Sequence, residues 1–295
     1  MVDSSDNIKT PTKMKPTKRN FFPVFDFLVI EICRWRFWLI LLFIFVSGSI
    51  LSTGLAMAEQ NPAFGAHKPN YILPITWAEP IDGRLEKEAK FQLSIKQSAF
   101  NYRNYHLYFA YTQRSFWQVY DGEDSRPFRE TNYNPEFFIR SPEFETDFGE
   151  FDGDIGAEHE SNGAKEYYSR SWNRVYFQVR YRYDILLLQY KIWYRLPESE
   201  KKFTGDPEGD DNPDIHKYFG YSELRGSVSL AELQFTFLGR LNISENKGAV
   251  ELNLSYPLPG TSMYGYLHYW NGYGESLIDY NRSIIKLGLG LLFVR

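Results

Sequence analysis

Three residues whose types and spacing suit nucleophilic catalysis stand in the stretch HESNGAKEYYSRSWNR, at positions 159–174. His159 and Ser161 are two residues apart, so in a β-strand their side chains share one face and could touch. A serine hydroxyl is a weak nucleophile until a base such as an imidazole takes its proton. The base needs a third group to fix its tautomer, and Asn173 can accept a hydrogen bond from its other ring nitrogen.

The alternation of polar and apolar residues predicts the face on which these side chains lie. His159 and Ser161 have the parity of Ile155, whereas the opposite parity holds three carboxylates, Asp154, Glu158 and Glu160. In the next predicted strand Asn173 belongs to an apolar series with Val175, Phe177, Val179 and Tyr181. In a membrane β-barrel the carboxylates would face the polar interior, and the three candidate residues would face lipid near the rim. Polar groups in lipid are costly unless they serve a function, and a substrate reaching this face would be a lipid.

A plainer interpretation of the motif stays open on the residues alone. His-x-Ser also occurs by chance, and four other histidines have no comparable setting: His67, His106, His216 and His268. The chain has no G-x-S-x-G motif, so the signature of an α/β-hydrolase is absent from the sequence.

The elements that must position these residues are predicted to be strands of about ten residues. Aromatic residues make up 18% of the chain, yet the mean hydropathy is −0.44, because apolar and polar positions alternate. Soluble sandwiches alternate too, but here the apolar faces are dense in Leu, Phe and Tyr while the polar faces carry charge in mid-strand. Ten or eleven strands are evident, with a weaker one near residues 70–77. Since an even number is expected, we predict an all-β, twelve-stranded antiparallel transmembrane barrel.

The first sixty residues differ from the rest. A basic leader precedes the apolar run FWLILLFIFV (37–46) and the small residues Ala56-Met57-Ala58, which together are typical of a secretory signal peptide. A retained single-span anchor is the alternative. We predict a signal peptide at 1–58, an N-terminal tail at 59–69 and the barrel domain at 70–295.

Removal of the leader would change the charge balance and the thiol content. The remaining chain has 26 basic and 33 acidic residues, a net charge of −7, which does not favour a nucleic-acid partner. The single cysteine, Cys33, would leave with the leader, so no disulfide is expected in the exported protein.

The stretch HESNG…SRSWNR resembles the signature of the bacterial outer-membrane phospholipase A family. Four further segments resemble the same family in the same order: YTQRSFWQ (111–118), PFRETNYNPEFF (127–138), DDNPDIHKYFGY (210–221) and GYGESLIDYN (272–281). The resemblance runs from about residue 70 to near the C-terminus. It implies a twelve-stranded barrel of the outer membrane, reached by signal-peptide export, that hydrolyses acyl esters of phospholipids and lysophospholipids. It also implies calcium dependence and activation by homodimerisation.

Residue roles follow from the resemblance position by position. It implies that Ser161 is the nucleophile, His159 the base and Asn173 the orienting amide. Calcium would be bound by the backbone oxygen of Ala164, the hydroxyl of Ser169 and the backbone oxygen of Ser125 from the partner chain, all oxygen ligands of the kind that calcium prefers. The family usually has arginine at position 164, but a backbone ligand tolerates alanine.

A second, weaker calcium position would use Glu166 and Asp211. The family pattern has aspartate at position 166, and a solvated acidic loop is the alternative role for Asp211.

Gln113 is predicted to face lipid, since it has the parity of Leu107, Phe109 and Tyr111. An amide there needs a hydrogen-bond partner, and we expect that partner to come from another protomer. The resemblance also implies a glutamine in the dimer interface at this position, whereas a glutamine at the interfacial rim is the alternative. For the whole protein the alternative to an esterase is a passive porin-like or structural barrel.

Overall fold

A computed structural model of the chain describes residues 64–79, 84–203, 206 and 208–295. The predicted signal peptide, 1–58, and the first part of the predicted tail lie outside the described residues. Within them the chain forms fourteen β-strands and one short α-helix. The strands are β1 (Phe64–Ala66), β2 (Asn70–Ala78), β3 (Lys87–Tyr102), β4 (Tyr105–Trp117), β5 (Phe128–Arg140), β6 (Phe144–Thr146), β7 (Gly149–Ser161), β8 (Ser171–Tyr183), β9 (Leu186–Arg195), β10 (Ser222–Leu230), β11 (Leu233–Asn242), β12 (Lys247–Pro257), β13 (Tyr264–Tyr273) and β14 (Ser283–Val294); the helix is α1 (Ile215–Phe219).

Twelve of these strands close into a barrel. Each long strand pairs antiparallel with the next one along the chain, and β14 pairs back onto β2, which in turn pairs with β3. Closure satisfies the backbone groups of every strand and leaves no free sheet edge, as a membrane requires. The prediction of a twelve-stranded antiparallel barrel is confirmed, and the weak strand near residues 70–77 is β2. No helix in the described part of the chain is long and apolar enough to cross a membrane.

The alternation of the sequence decides which face of each strand is buried. On β7, Ile155 is 65% exposed on the outer face, whereas its neighbour Asp154 is 2% exposed in the interior. The same pattern repeats on β14, where Ile285, Leu287 and Leu289 are exposed and Lys286 is buried. Apolar side chains therefore cover the outside, and the interior carries the charges.

The interior charges are paired with one another. Lys286 Nζ contacts Glu88 at 2.5 Å and Glu275 at 2.7 Å, and Arg129 bonds Glu88 at 2.9 Å. Pairing of this kind is what makes buried charge tolerable, because an unpaired charge in the interior would be strongly unfavourable.

The short strands extend the barrel at two places. β1 pairs with β3, and the bend after it brings His67 against Glu136 and Lys68 against Asn134 inside the barrel. The described part of the predicted N-terminal tail thus continues the sheet and contacts the interior. β6 pairs with β7.

The two ends of the barrel differ in their connections. At one end the strands join by short turns such as Arg103-Asn104, where both residues have positive φ, as tight hairpins require. The opposite end, where β7 meets β8, carries the longer connections 196–221 and 274–282. In outer-membrane barrels the longer loops are typically on the extracellular side.

The end with long connections is filled by aromatic packing. Trp172 of β8 is fully buried, and its ring lies 5.1 Å from that of Phe219 on α1. Tyr280, in the 274–282 connection, donates a hydrogen bond of 2.5 Å to Asp214, next to α1. Burial raises the pKa of Tyr280, so its hydroxyl keeps the proton that it donates. This packing holds the loops that surround the candidate site.

Candidate active site

The antiparallel register of β7 and β8 places His159 directly opposite Asn173. His159 Nδ1 and Asn173 Oδ1 are 2.9 Å apart, which is hydrogen-bonding distance. Both side chains are half-buried on the outer face of the barrel. The structure therefore brings together the predicted base and the predicted orienting amide, on the predicted side.

Ser161 ends β7 on the same face as His159. It lies opposite Ser171 of β8 on one side and Tyr133 of β5 on the other. Its side chain is half-buried. Among the described residues no hydrogen bond joins the His159 ring to the Ser161 hydroxyl, and the shared strand face is what makes them neighbours. Catalytic hydrogen bonds often tighten only when substrate is bound.

Asn173 has a second partner that the sequence reasoning missed. Its Nδ2 donates a hydrogen bond of 3.0 Å to Glu198 Oε1. The signal was present in the sequence: Tyr194, Leu196 and Glu198 share one parity and continue the outer face of β9. Residue 198 stands in a polar segment, however, and alternation alone does not assign such a segment to a strand.

The connection between β7 and β8 is held by the side chain of Asn162. Its Oδ1 accepts hydrogen bonds from the backbone N–H of Ala164 at 3.2 Å and of Arg170 at 2.9 Å, and its Nδ2 donates to the Tyr168 carbonyl at 2.8 Å. These bonds fix a compact loop beside Ser161, in which Ala164 and Ser169 both stand.

Ser169, assigned to the first predicted calcium position, contacts Asp211, assigned to the second. Ser169 Oγ donates a hydrogen bond of 2.6 Å to Asp211 Oδ2, and Lys201 Nζ lies 2.5 Å from Asp211 Oδ1. The described residues include no group of three or more His, Cys, Asp or Glu side chains that could hold a metal.

Ser125 and Glu166 stand apart from that arrangement. Ser125 is exposed in the connection between β4 and β5, with a positive φ of 59°, and makes no described contact with Ala164 or Ser169. Glu166 begins a short 3-10 helix, Glu166–Tyr168, but its side chain lies outside what the structure describes.

Gln113 faces outward, as predicted, but its amide already has partners within the chain. Tyr111 Oη donates to Gln113 Oε1 at 3.2 Å, and Gln113 Nε2 donates to Ser115 Oγ at 3.2 Å. The expectation that only another protomer could supply its partner is therefore wrong, whereas the place of Gln113 in a dimer interface stays a prediction. The reason is that residues i−2 and i+2 of the same strand face lie within reach of a long side chain.

The comparison with known proteins connects this geometry to a family. The family model described as "Phospholipase A1" matches residues 51–293. The chain belongs to the phospholipase A1 family. It is 37% identical over 269 residues to the phospholipase A1 of Escherichia coli (strain K12), covering 84% of this chain and 87% of that protein. It is 34% identical over 268 residues to the phospholipase A1 of Klebsiella pneumoniae, covering 84% and 88%.

Solved structures agree with the assignment. The outer membrane phospholipase A from Escherichia coli superposes with a TM-score of 0.71 at 32% identity, covering 78% of this chain and 97% of that one. The outer membrane phospholipase of Salmonella typhi, a dimer with bound calcium, gives a TM-score of 0.71 at 32% identity, covering 80% and 94%. The chain is thus a lipolytic hydrolase, an outer-membrane phospholipase, and the porin-like alternative is set aside.

Proposed function

We propose that this chain hydrolyses acyl ester bonds of phospholipids and lysophospholipids, with A1, A2 and lysophospholipase activity, through a Ser161–His159–Asn173 triad on the outer face of the barrel. The observation that carries the proposal is the hydrogen bond of 2.9 Å between His159 Nδ1 and Asn173 Oδ1, on the face that also holds Ser161. A serine, an imidazole and an orienting group in this order are what acyl transfer needs.

The chemistry proceeds in two halves. Ser161 Oγ attacks the ester carbonyl carbon while His159 Nε2 takes its proton, and the tetrahedral intermediate collapses as the same proton passes to the departing alcohol oxygen. An acyl-serine and a lysophospholipid, or a glycerophospho-compound from a lysophospholipid, result. Water then attacks the acyl-serine, His159 takes its proton and returns it to Ser161 Oγ, and a fatty acid leaves.

Calcium is the proposed cofactor, bound by the Ala164 backbone oxygen, the Ser169 hydroxyl and the backbone oxygen of a partner chain's Ser125. The oxygen-only donor set and the nearby Asp211 carboxylate suit this hard cation. When bound, it would supply electrostatic stabilisation to the oxyanion beside Ser161. A site completed by a second protomer would make the homodimer the active form. The signal peptide at residues 1–58 and its removal on export belong to the same proposal.

The test is to ask whether Ser161 carries the reaction. Ser161→Ala should abolish fatty-acid release from mixed micelles, and a radiolabelled alkylsulfonyl fluoride should label the wild-type protein at Ser161 alone. Barrel formation, followed by the heat-dependent gel shift, should be unchanged, because the side chain lies on the outer face. Ser98→Ala, at the far end of β3, is the matched control and should retain both activity and labelling. A folded Ser161→Ala barrel that keeps its activity would refute the triad.

A further inference from the structure

Glu198 lies against the amide that orients the proposed base. Asn173 Nδ2 donates to Glu198 Oε1 at 3.0 Å, while Asn173 Oδ1 faces His159 Nδ1 at 2.9 Å. The imidazole, the amide and the carboxylate therefore form one hydrogen-bonded line on the outer face, with Asn173 in the middle.

The backbone places Glu198 by continuing the pairing of β8 with β9 beyond the last strand residue. Arg174 pairs with Arg195, and the next bond of this ladder runs from the Leu196 N–H to the Asn173 carbonyl at 2.8 Å. Residues 194, 196 and 198 consequently alternate onto one face, and Tyr194 is 64% exposed on the outside of the barrel. Glu198 arrives beside Asn173 for this reason.

The segment that carries Glu198 is fastened on both sides. Before it, the Arg195 guanidinium contacts both oxygens of Asp210 at 2.6 Å. After it, the Ser199 carbonyl accepts a hydrogen bond from the Asp210 N–H at 2.8 Å. The backbone on both sides of Glu198 is therefore anchored, which keeps this residue beside Asn173.

The Glu198 carboxylate determines which way the Asn173 amide points. An ionised carboxylate only accepts hydrogen bonds, so the amide NH₂ must face Glu198 and the amide oxygen must face His159. The amide oxygen also only accepts, so His159 Nδ1 must carry the proton and Nε2 is left free to take the proton of Ser161. With the amide turned round, the proton would sit on Nε2 and the base would be in the wrong tautomer.

We infer that Glu198 is a positioning residue of the active site, which sets the orientation of Asn173 and through it the tautomer of His159. The inference rests on the proposed triad. Asn173 is neutral and cannot stabilise the positively charged imidazole of the transition state as an aspartate would. The Glu198 carboxylate supplies a negative charge on the far side of the Asn173 amide. Glu198 touches neither substrate nor the reacting atoms in this scheme.

The test is a double-mutant cycle between Glu198→Ala and Asn173→Ala, measured with phospholipid in mixed micelles. Glu198→Ala should lower kcat by about 10-fold to 100-fold, because Asn173 loses its hydrogen bond to a charged group. KM should be unchanged, since Glu198 does not touch the substrate. In the Asn173→Ala background it should have no further effect, because the amide through which it acts is gone. Glu198→Gln keeps an acceptor for the amide and should recover part of the lost kcat.

Controls separate this inference from the proposed function and from a general loop defect. Glu200→Ala removes an exposed carboxylate from the same segment and should leave kcat unchanged, and all variants should show the heat-dependent gel shift of a folded barrel. An unchanged kcat in Glu198→Ala, or losses from Glu198→Ala and Asn173→Ala that simply multiply, would overturn the positioning role. If Ser161→Ala stayed active, the triad itself would fail, and that result is distinct from either outcome.

Discussion

Ser169 donates a hydrogen bond of 2.6 Å to Asp211, across 42 residues of sequence. The contact joins the compact loop after Ser161 to the long connection between β9 and β10. Asp211 is at the same time paired with Lys201, whose Nζ lies 2.5 Å from the other carboxylate oxygen. In the isolated chain the Lys201 ammonium therefore already pairs with Asp211 Oδ1, an oxygen that the second calcium position would use.

The Lys201–Asp211 pair predicts a competition between the side chain and calcium. Lys201→Ala should free one Asp211 oxygen and lower the calcium concentration needed for half-saturation, measured directly by isothermal titration in detergent. Ser169→Ala should raise it, since a proposed hydroxyl ligand is lost. Lys202→Ala, an exposed neighbour, is the control. An identical calcium affinity in wild type and Lys201→Ala would show that Asp211 takes no part in binding. In a separate assay, chelation of calcium should abolish fatty-acid release in every variant.

Asn173→Ala should reduce hydrolysis without eliminating it. An orienting amide is less essential than a nucleophile or a base, because the unrestrained imidazole still visits the productive orientation and tautomer. Initial rates of Asn173→Ala and Ser161→Ala, measured side by side at equal amounts of folded barrel, check this order. A loss in Asn173→Ala as complete as that in Ser161→Ala would mean that Asn173 has a role beyond orientation.

Gln113→Leu tests the proposed dimer. An interchain polar contact in a membrane contributes about 0.6–2 kcal/mol, so its loss should weaken the dimer several-fold. If calcium is shared between chains, calcium affinity and dimer affinity are reciprocally linked, and the calcium concentration for half-maximal activity should rise. Chemical crosslinking and a calcium titration of activity provide the two measurements.

Gln113→Leu also removes the intrachain bonds to Tyr111 and Ser115, so a second outward-facing glutamine serves as the control. Gln97→Leu changes an exposed glutamine on β3, near the opposite end of the barrel, and should alter neither quantity. If Gln113→Leu weakened crosslinking but left the calcium midpoint unchanged, each chain would hold a complete site, and the shared-site proposal would have to be given up.

Lys286→Met should destabilise the barrel. It removes the cation between Glu88 and Glu275 and leaves two buried carboxylates short of a partner, a loss that typically costs about 3–5 kcal/mol. Denaturant titration of the folded barrel in detergent, followed by tryptophan fluorescence, measures the change. Ser161 and His159 lie on the other face, so the remaining folded fraction should hydrolyse phospholipid at the wild-type rate. Stability equal to wild type would show that the interior pairs contribute little.

The sequence by itself determined that the chain is built of alternating strands and which candidate residues share a face; the number twelve also needed the rule that such barrels have an even number of strands. Alternation with a period of two is a property of consecutive residues, so it shows that His159 and Ser161 share the face of Ile155 and that Asn173 shares the face of Val175. That this face is the outer one followed from the expected barrel. The interior position of Asp154 and Glu158 follows in the same way. The resemblance of five ordered segments to a known family supplied the residue roles, and the family itself is confirmed.

Only the tertiary structure decided which side chains meet across the barrel. The register of β7 against β8 sets His159 opposite Asn173, the continued ladder after β9 brings Glu198 to the same amide, and the long connection returns Asp211 to Ser169. These contacts depend on strand pairing and on the path of a long loop, neither of which local periodicity encodes. The same limit explains Gln113: parity gave its face, but only side-chain geometry showed that Tyr111 and Ser115 each hydrogen-bond its amide within the chain.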